Sequence, residues 1–317
     1  MALGTKVVSL CEQTSRRGTR RLIEWLQKHR LMKSRMKCRL CKKKMKFQKT
    51  QTGDGYQWEC KKRTHSKKVK KTCRAGSVFE KSKVTLQNWM KFMYRYCQGL
   101  RLRQVDMMQD GIAGSSATLS KMSQKLRLVC KDALKRYKKK TGQSMGGRTE
   151  FIVIDESNFR HKRKYGRGRV GGTWKRKKWV FGMLAIKAQR RRPILRLVER
   201  RSRNHLIPII RRHVRPGSTI LSDEWRPYRA LTGLGYSHYS VNHSKFFVNP
   251  NHGGHTQHIE RAWSTYKSQI WRLRGNKTEK LLKEHLACIE WTYWMGMEHR
   301  YGPLGRLLKD IRKYYCI

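Results

Sequence analysis

The sequence predicts an α/β protein whose main body is a mixed five-stranded sheet with flanking helices. Two smaller modules precede that body, a metal-stapled ribbon and a helical segment. Three observations carry the prediction. Short apolar runs alternate with stretches of helical spacing between residues 148 and 275. A CxxC knuckle, a third Cys and a His fall within 36–80. Apolar residues at helical spacing, broken by a Gly-Ser turn, fill 83–140.

The segment 1–35 holds one amphipathic stretch, Thr19 to Leu31, with Leu22, Ile23, Trp25 and Leu26 for an apolar face and Arg and Lys elsewhere. It reads as a packing helix or as an arm that touches DNA. In 36–80, Cys38 and Cys41 form the knuckle, Tyr56 to Cys60 alternates like a strand, and His65 follows. Zinc takes four Cys or His ligands in a tetrahedron, and a CxxC turn supplies two at once. Cys38, Cys41, Cys60 and His65 are therefore the expected zinc ligands, with Cys73 as rival for the fourth place. From Val84 to Tyr94 the spacing is helical. A turn at Gly111–Ser116 then offers Ser115 or Ser116 as N-cap of a long basic helix, Ala117 to Tyr137. Helix, turn, basic helix resembles a helix-turn-helix module. A Gly-rich linker, 141–147, marks a boundary.

Beyond it the pattern turns to strands. Phe151–Ile154 is an apolar run closed by Asp155, and Trp179–Ile186 and Ile194–Val198 are further strands. A helix spans Asn204–Val214, a strand Thr219–Ser222 is closed by Asp223, and a helix spans Arg226–Leu234. A strand His238–Val241 and a helix from about Thr256 to Trp271 complete the set. Three strands, helix, strand, helix, strand, helix is the order of an RNase H-like fold. Residues 276–317 read as a C-terminal helical segment whose aromatics, Trp291 to Tyr315, pack on the chain itself or bridge subunits.

Composition narrows the partner. Lys and Arg number 76 against 20 Asp and Glu, a net +56, while 38% hydrophobic residues suffice for a core. Such charge opposes compaction unless a polyanion shares the space, and nucleic acid is the expected one. Nine scattered cysteines do not make a disulfide framework and point to a reducing compartment. No run of 18 apolar residues occurs, and the first thirteen residues lack a signal-peptide core, so neither membrane nor secretion is expected.

Among so few acids, three stand where phosphoryl transfer needs them. Two Mg²⁺ or Mn²⁺ ions about 3.5–4 Å apart activate a nucleophile, stabilise a leaving oxygen and neutralise phosphate. Both are hard ions that want carboxylate oxygens. Asp155 and Asp223 close strands, and Glu260 begins the late helix. Glu260, Trp263 and Lys267 share one helix face, so Lys267 is expected at a DNA phosphate and Trp263 against the helix or a base. Taken singly, each acid has a structural explanation: helix cap, turn former or solvated residue. Glu156 and Glu224 follow the aspartates and should point elsewhere. In the His cluster 238, 243, 252, 255 and 258, His243 and His255 are expected to line the site's mouth or touch phosphate.

At these motifs the chain resembles the Merlin superfamily of eukaryotic transposases, related to a group of bacterial insertion-sequence transposases. The resemblance rests on Trp58-Glu-Cys60, Gly76-Ser-Val-Phe79-Glu-Lys-Ser82, Ile154-Asp-Glu-Ser157, Trp179-Val-Phe-Gly182 and Leu206-Ile-Pro-Ile-Ile210. It continues through Ile220-Leu-Ser-Asp-Glu-Trp225, Gly235-Tyr-Ser-His238, Val241-Asn-His-Ser244 and His255-Thr-Gln-His-Ile-Glu260. It implies a DDE triad of Asp155, Asp223 and Glu260, metal-dependent strand cleavage and transfer, binding to terminal inverted repeats of double-stranded DNA, and action in the nucleus. A homodimer or larger assembly on DNA is expected with it. The chain departs from the family at Gln257, where Asn is usual, and in a Lys/Arg insertion at 173–178. At Cys73 the family more often has an aliphatic residue, which favours His65 as the zinc ligand. The rival reading is a domesticated DNA-binding protein that keeps the fold without the chemistry.

Overall fold

The computed structural model describes residues 3–51, 53–63, 65–98, 104–159, 179–241, 257–271 and 278–317. The chain divides into two compact units, Met1–Val129 with His299–Ile317, and Cys130–Glu298.

In the first unit, helices α1 (Leu3–Glu12), α2 (Arg16–Lys28) and α3 (Leu86–Cys97) pack on one another, and α9 (Gly302–Tyr315) packs on α3. The amphipathic stretch predicted from Thr19 begins three residues earlier, at Arg16, because Ser15 caps it by accepting from the Gly18 N–H at 3.1 Å. Leu22, Ile23, Trp25 and Leu26 are buried as the periodicity requires. The helix α1 has no counterpart in the sequence reading; only Val7 and Cys11 of its ten residues are buried, too few to signal a face. The ribbon is a three-stranded antiparallel sheet of β1 (Lys46–Lys49), β2 (Tyr56–Glu59) and β3 (Lys70–Thr72). Short α4 (Gln104–Gln109) precedes α5 (Ser116–Thr141), which Ser115 caps by accepting from the Thr118 N–H at 3.2 Å.

The second unit is built on a five-stranded sheet of order β6-β5-β4-β7-β8. Strands β4 (Phe151–Ser157), β5 (Trp179–Lys187) and β6 (Arg190–Val198) run antiparallel. Strand β7 (Thr219–Asp223) lies parallel to β4, and β8 (Ser237–Val241) parallel to β7. Helices α6 (Arg203–His213), α7 (Gln257–Trp271) and α8 (Glu279–Trp291) flank it. This is the strand order and direction of an RNase H-like sheet.

Three elements differ from the sequence reading. Strand β4 does not stop before Asp155 but runs to Ser157, because Asp155, Glu156 and Ser157 continue the ladder opposite Gly182, Phe181 and Val180. Strand β6 begins at Arg190 rather than Ile194. The tight turn at Ala188, with φ 51°, sets Lys187 opposite Arg190 and brings Arg190, Arg191, Arg192 and Pro193 into the ladder with β5. The segment Arg226–Leu234 is 3₁₀ rather than α, entered through a proline at its start and closed by Gly235 at φ 81°.

The core beneath the sheet joins Val153, Leu184 and Leu195 to Ile259, Trp263 and Tyr266 of α7 and to Leu286 of α8. One buried carboxylate pins its edge. Glu290 accepts from the Leu195 N–H at 2.9 Å and Gln143 Nε2 at 2.8 Å, and pairs with Arg196 at 2.5 Å and Lys138 at 3.0 Å. Burial alone would raise its pKa, but the two cations hold it below the ordinary carboxylate value. The aromatic stretch after α8 continues through a π-turn, Thr292–Gly296, in which Trp294 donates to the Pro193 carbonyl at 2.6 Å. Trp291, Trp294 and Met295 are thereby buried within this unit rather than left for a partner.

Candidate active site and metal centre

Strand directions decide where the acids meet. Because β4 and β7 are parallel, with Ile152 opposite Ile220 and Val153 opposite Leu221, two further residues along each strand bring Asp155 level with Asp223. Helix α7 packs against β4 and carries Glu260 in its first turn. The electrostatics register the meeting. Burial pushes Asp155 up to about 6, hydrogen bonds from Trp263 and the Glu156 N–H pull it down, and the negative charges of Asp223 and Glu260 push it up again.

Both Asp155 oxygens are fixed. Oδ1 accepts from the Glu156 N–H at 2.7 Å, and Oδ2 accepts from the Trp263 indole N–H at 2.8 Å. Trp263 is 5% exposed. Of the two places the sequence left open for this ring, helix packing and a base, the structure gives it the first, which corrects the expectation that it touches DNA. It stands edge-on to Phe159 at 5.8 Å and to Tyr266 at 6.1 Å. The ring lies over β5 only because residue 182 is glycine: a Cβ there would meet the indole at 2.4 Å. Alanine at 182 would push the ring, and with it the N–H, off Asp155.

One turn beyond Trp263, Lys267 is half-buried, its ammonium 5.7 Å from the Phe159 ring centre. Burial lowers its pKa, and the attraction of Asp155 partly offsets that. Asp223 is steadied through its neighbours: the Trp225 N–H donates to its Oδ1 at 3.4 Å, and Ser222 Oγ lies 2.8 Å from His238 Nε2 on β8. His258 lies beside Phe151, ring centres 6.3 Å apart. His243, His255 and the 173–178 insertion lie outside the described residues.

A second layer was missed by the sequence reading. Side chains alternate along a strand, so Glu156 points away from Asp155, as expected, but it is also buried. Tyr228 donates its hydroxyl to Glu156, and Arg201 approaches it at 3.9 Å. Burial, then Asp155 and Asp223, push Glu156 up to about 8, with Arg201 opposing. Arg201 is itself clamped between two indoles, 4.0 Å from the Trp179 ring centre and 3.8 Å from that of Trp225. Trp225 directly follows the Asp223-Glu224 pair, so this stack braces the end of β7 from behind. An aromatic at 225 beside an acid was visible in the sequence; its partner 24 residues earlier was not.

Zinc ligation is clearer. Cys38, Cys41, Cys60 and His65 bring their ligand atoms within 4.8 Å of one another. Cys38 Sγ and Cys60 Sγ lie 3.5 and 3.3 Å from His65 Nε2, and Cys41 Sγ lies 3.6 Å from Cys60 Sγ. Zinc bonds of about 2.3 Å to sulfur and 2.0–2.1 Å to nitrogen place tetrahedral ligands at roughly 3.5–3.8 Å, so the four fit the ion. Backbone N–H groups of Cys41 and Leu40 hold the Cys38 thiol down to about 6, the thiolate that zinc needs. Cys73 stands apart. It donates to Asp54 at 3.2 Å, and burial pushes it up to about 12. Among the described residues this is the one set gathered so tightly; Asp223 and Glu260 act on Asp155 without closing to that spacing.

The protein should carry about one zinc per chain. Cys38→Ser or Cys60→Ser should lose it and Cys73→Ser should keep it, as read by metal analysis of the purified variants. Zinc lost in Cys73→Ser and retained in His65→Ala would reverse the ligand assignment.

Known proteins resemble this chain in sequence. Residues 145–293, which include all three acids, match the family model for the ISXO2-like transposase domain. An uncharacterized transposase-like protein of Haemophilus influenzae is 32% identical over 88 residues, covering 28% of this chain and 69% of that relative.

Proposed function

The chain belongs to a transposase family, and from that premise we propose that it cuts the ends of a mobile element out of double-stranded DNA and joins them to a target. Asp155, Asp223 and Glu260 are in this reading the carboxylates that hold two Mg²⁺ or Mn²⁺ ions. One observation carries it: two aspartates on neighbouring parallel strands and a glutamate on the abutting helix, close enough that the other two raise the pKa of Asp155. The donor set suits hard divalent ions, being all carboxylate oxygen. A carboxylate has about four acceptor sites, so two spent on Trp263 and Glu156 leave Asp155 free lone pairs.

When bound, such ions polarise the attacking oxygen and neutralise charge on the transferred phosphate. The protein supplies position. Trp263 and the Glu156 N–H keep Asp155 from rotating, and the Arg201 clamp steadies the end of β7. Lys267, a cation drawn toward Asp155, stands where it would meet a phosphate oxygen of the DNA. The ribbon and the helical module 83–140 would recognise the terminal inverted repeats. The motifs quoted above point within the family to the Merlin branch and so to action in the nucleus.

Asp155→Asn, Asp223→Asn and Glu260→Gln should each reduce strand cleavage to background in Mg²⁺ on DNA carrying the element's ends. Affinity for that DNA should be unchanged or tighter, because each change removes a charge that repels phosphate. Near-normal cleavage by any one of the three would break the triad.

Two ends joined to one target need two active sites, so the assembly on DNA should be at least a dimer. The free chain at +56 resists association until DNA neutralises it. Light scattering of the protein alone and with paired-end DNA reads this. One subunit per synapsed pair of ends would contradict it.

A further inference from the structure

The described residues of the loop between β1 and β2, 50–51 and 53–55, stand between two clefts of the first unit. One, of about 730 Å³, opens toward the first turns of α2 and α3, and Arg16, Arg17, Arg20, Lys49 and Lys91 line it. The other, of about 750 Å³, lies toward β3, and Lys70, Lys71, Lys81 and Lys83 line it. Both are lined by Thr50, Gly53, Asp54, Tyr56 and Thr85, so the two clefts adjoin on either side of the hairpin.

The charge in this paired cleft is almost all of one sign. Asp54 is the single acid in either lining. It is already taken by Arg74, whose Nε and Nη2 lie 2.6 and 2.5 Å from its two oxygens. Arg74 also donates to the Ser82 and Val84 carbonyls at 2.8 and 2.7 Å, so this pair is structural. Arg20 shares its charge with Glu24 on the open surface of α2, a pairing that costs little to exchange for another anion. Such a concentration of like charge raises the energy of the folded unit until an anion enters it.

The surroundings suit a phosphate chain. Two helix N-termini, each with its partial positive charge, face the first cleft through residues 16–17 and 87–88. At the hairpin tip Gly53 is exposed, at φ 62°, and a Cβ there would meet nothing within 4 Å, so backbone can approach closely. Tyr56 adds an aromatic face, stacked on Phe47 at 5.4 Å.

We propose that this paired cleft is a second, non-catalytic DNA-binding surface that grips the phosphate backbone of a duplex across the β1–β2 hairpin. It rests on the reading of the protein as a DNA transposase and adds to it the surface that holds an end while the carboxylates cut. The grip is distinct from the long basic helix that the sequence singled out.

The test uses the full-length protein and a fluorescent 30-base-pair duplex carrying an element end, in buffer without divalent metal or chelator. Arg16→Gln, Arg17→Gln, Lys70→Gln and Lys71→Gln are combined; all four side chains are exposed. The matched control combines Lys187→Gln, Arg190→Gln, Lys280→Gln and Lys283→Gln, exposed positions of the second unit. The cleft variant should bind roughly 100-fold more weakly at 0.1 M salt. Its slope of log K against log salt should shrink by about 3, near one unit for each phosphate no longer neutralised. The control should change that slope by less than about 1. Zinc content should match the wild type, and thermal stability without DNA should be equal or higher, because like-charge repulsion is relieved. If the fourfold variant misfolds, Lys81→Gln with Lys83→Gln should give a smaller loss of the same kind.

Equal effects of the two sets would overturn the proposal. So would a loss confined to duplex RNA, which would make the cleft an RNA surface. Because binding is read without metal or cleavage, the two readings separate. A cleft variant that binds normally but fails to cut sinks the cleft and leaves the carboxylates standing. A wild type that never cuts, beside a cleft variant that loses binding, sinks the catalytic reading alone.

Discussion

The hydrogen bond from the Trp263 indole to Asp155 joins the core of the second unit to its chemistry. The same ring that fills the core over Gly182 delivers its N–H to the carboxylate. A carboxylate sunk this far from water is costly to charge, which is why Asp155 rises to about 6. Fixed donors recover part of that cost and leave the group aimed in one direction. An unheld aspartate would rotate toward water or toward the excess of lysine and arginine around it.

That excess sets a second constraint. With 76 cations and 20 acids, several buried or half-buried carboxylates are structural anchors for arginine. Glu290 holds Arg196, Glu150 holds Arg192 at 2.5 Å, Asp54 holds Arg74 and Asp310 holds Arg306 at 2.8 Å. Asp155 differs from these: its donors are an indole and an amide, both neutral. A neutral donor orients a carboxylate without cancelling its charge, and the charge is what a divalent cation needs. Glu156, one residue on and facing the other way, takes an arginine and a tyrosine instead. Adjacent acids on one strand are thus divided between anchoring an arginine and facing the other two acids by the alternation of the pleat.

Much of this was legible in the sequence because it is local. Apolar runs located the strands around Asp155 and Asp223, and helical spacing put Glu260, Trp263 and Lys267 on one face. What escaped depends on contacts distant in the chain. The arginines at the start of β6 carry no strand signature; they join the sheet by pairing with β5, and Arg192 is held further by Glu150. Trp263 reads equally well as a core residue or a base platform until Gly182, some eighty residues earlier, is seen beneath it. The choice between His65 and Cys73 needed the fold of the ribbon, which turns Cys73 toward Asp54. The 226–234 segment has helical spacing, yet its proline and glycines give it the tighter 3₁₀ turn.

The central claim is that Trp263 acts through its N–H on Asp155. Trp263→Phe keeps an aromatic ring over Gly182 and removes the donor. Single-turnover cleavage of element-end DNA, followed across Mg²⁺ concentration, reads the consequence. A hydrogen bond to a charged group contributes roughly 1.5–3 kcal/mol, so cleavage at limiting Mg²⁺ should fall about 10- to 100-fold. Higher Mg²⁺ should restore part of it, with DNA affinity and thermal stability near wild type. Wild-type cleavage at every Mg²⁺ concentration would contradict the account and leave Trp263 a core residue only.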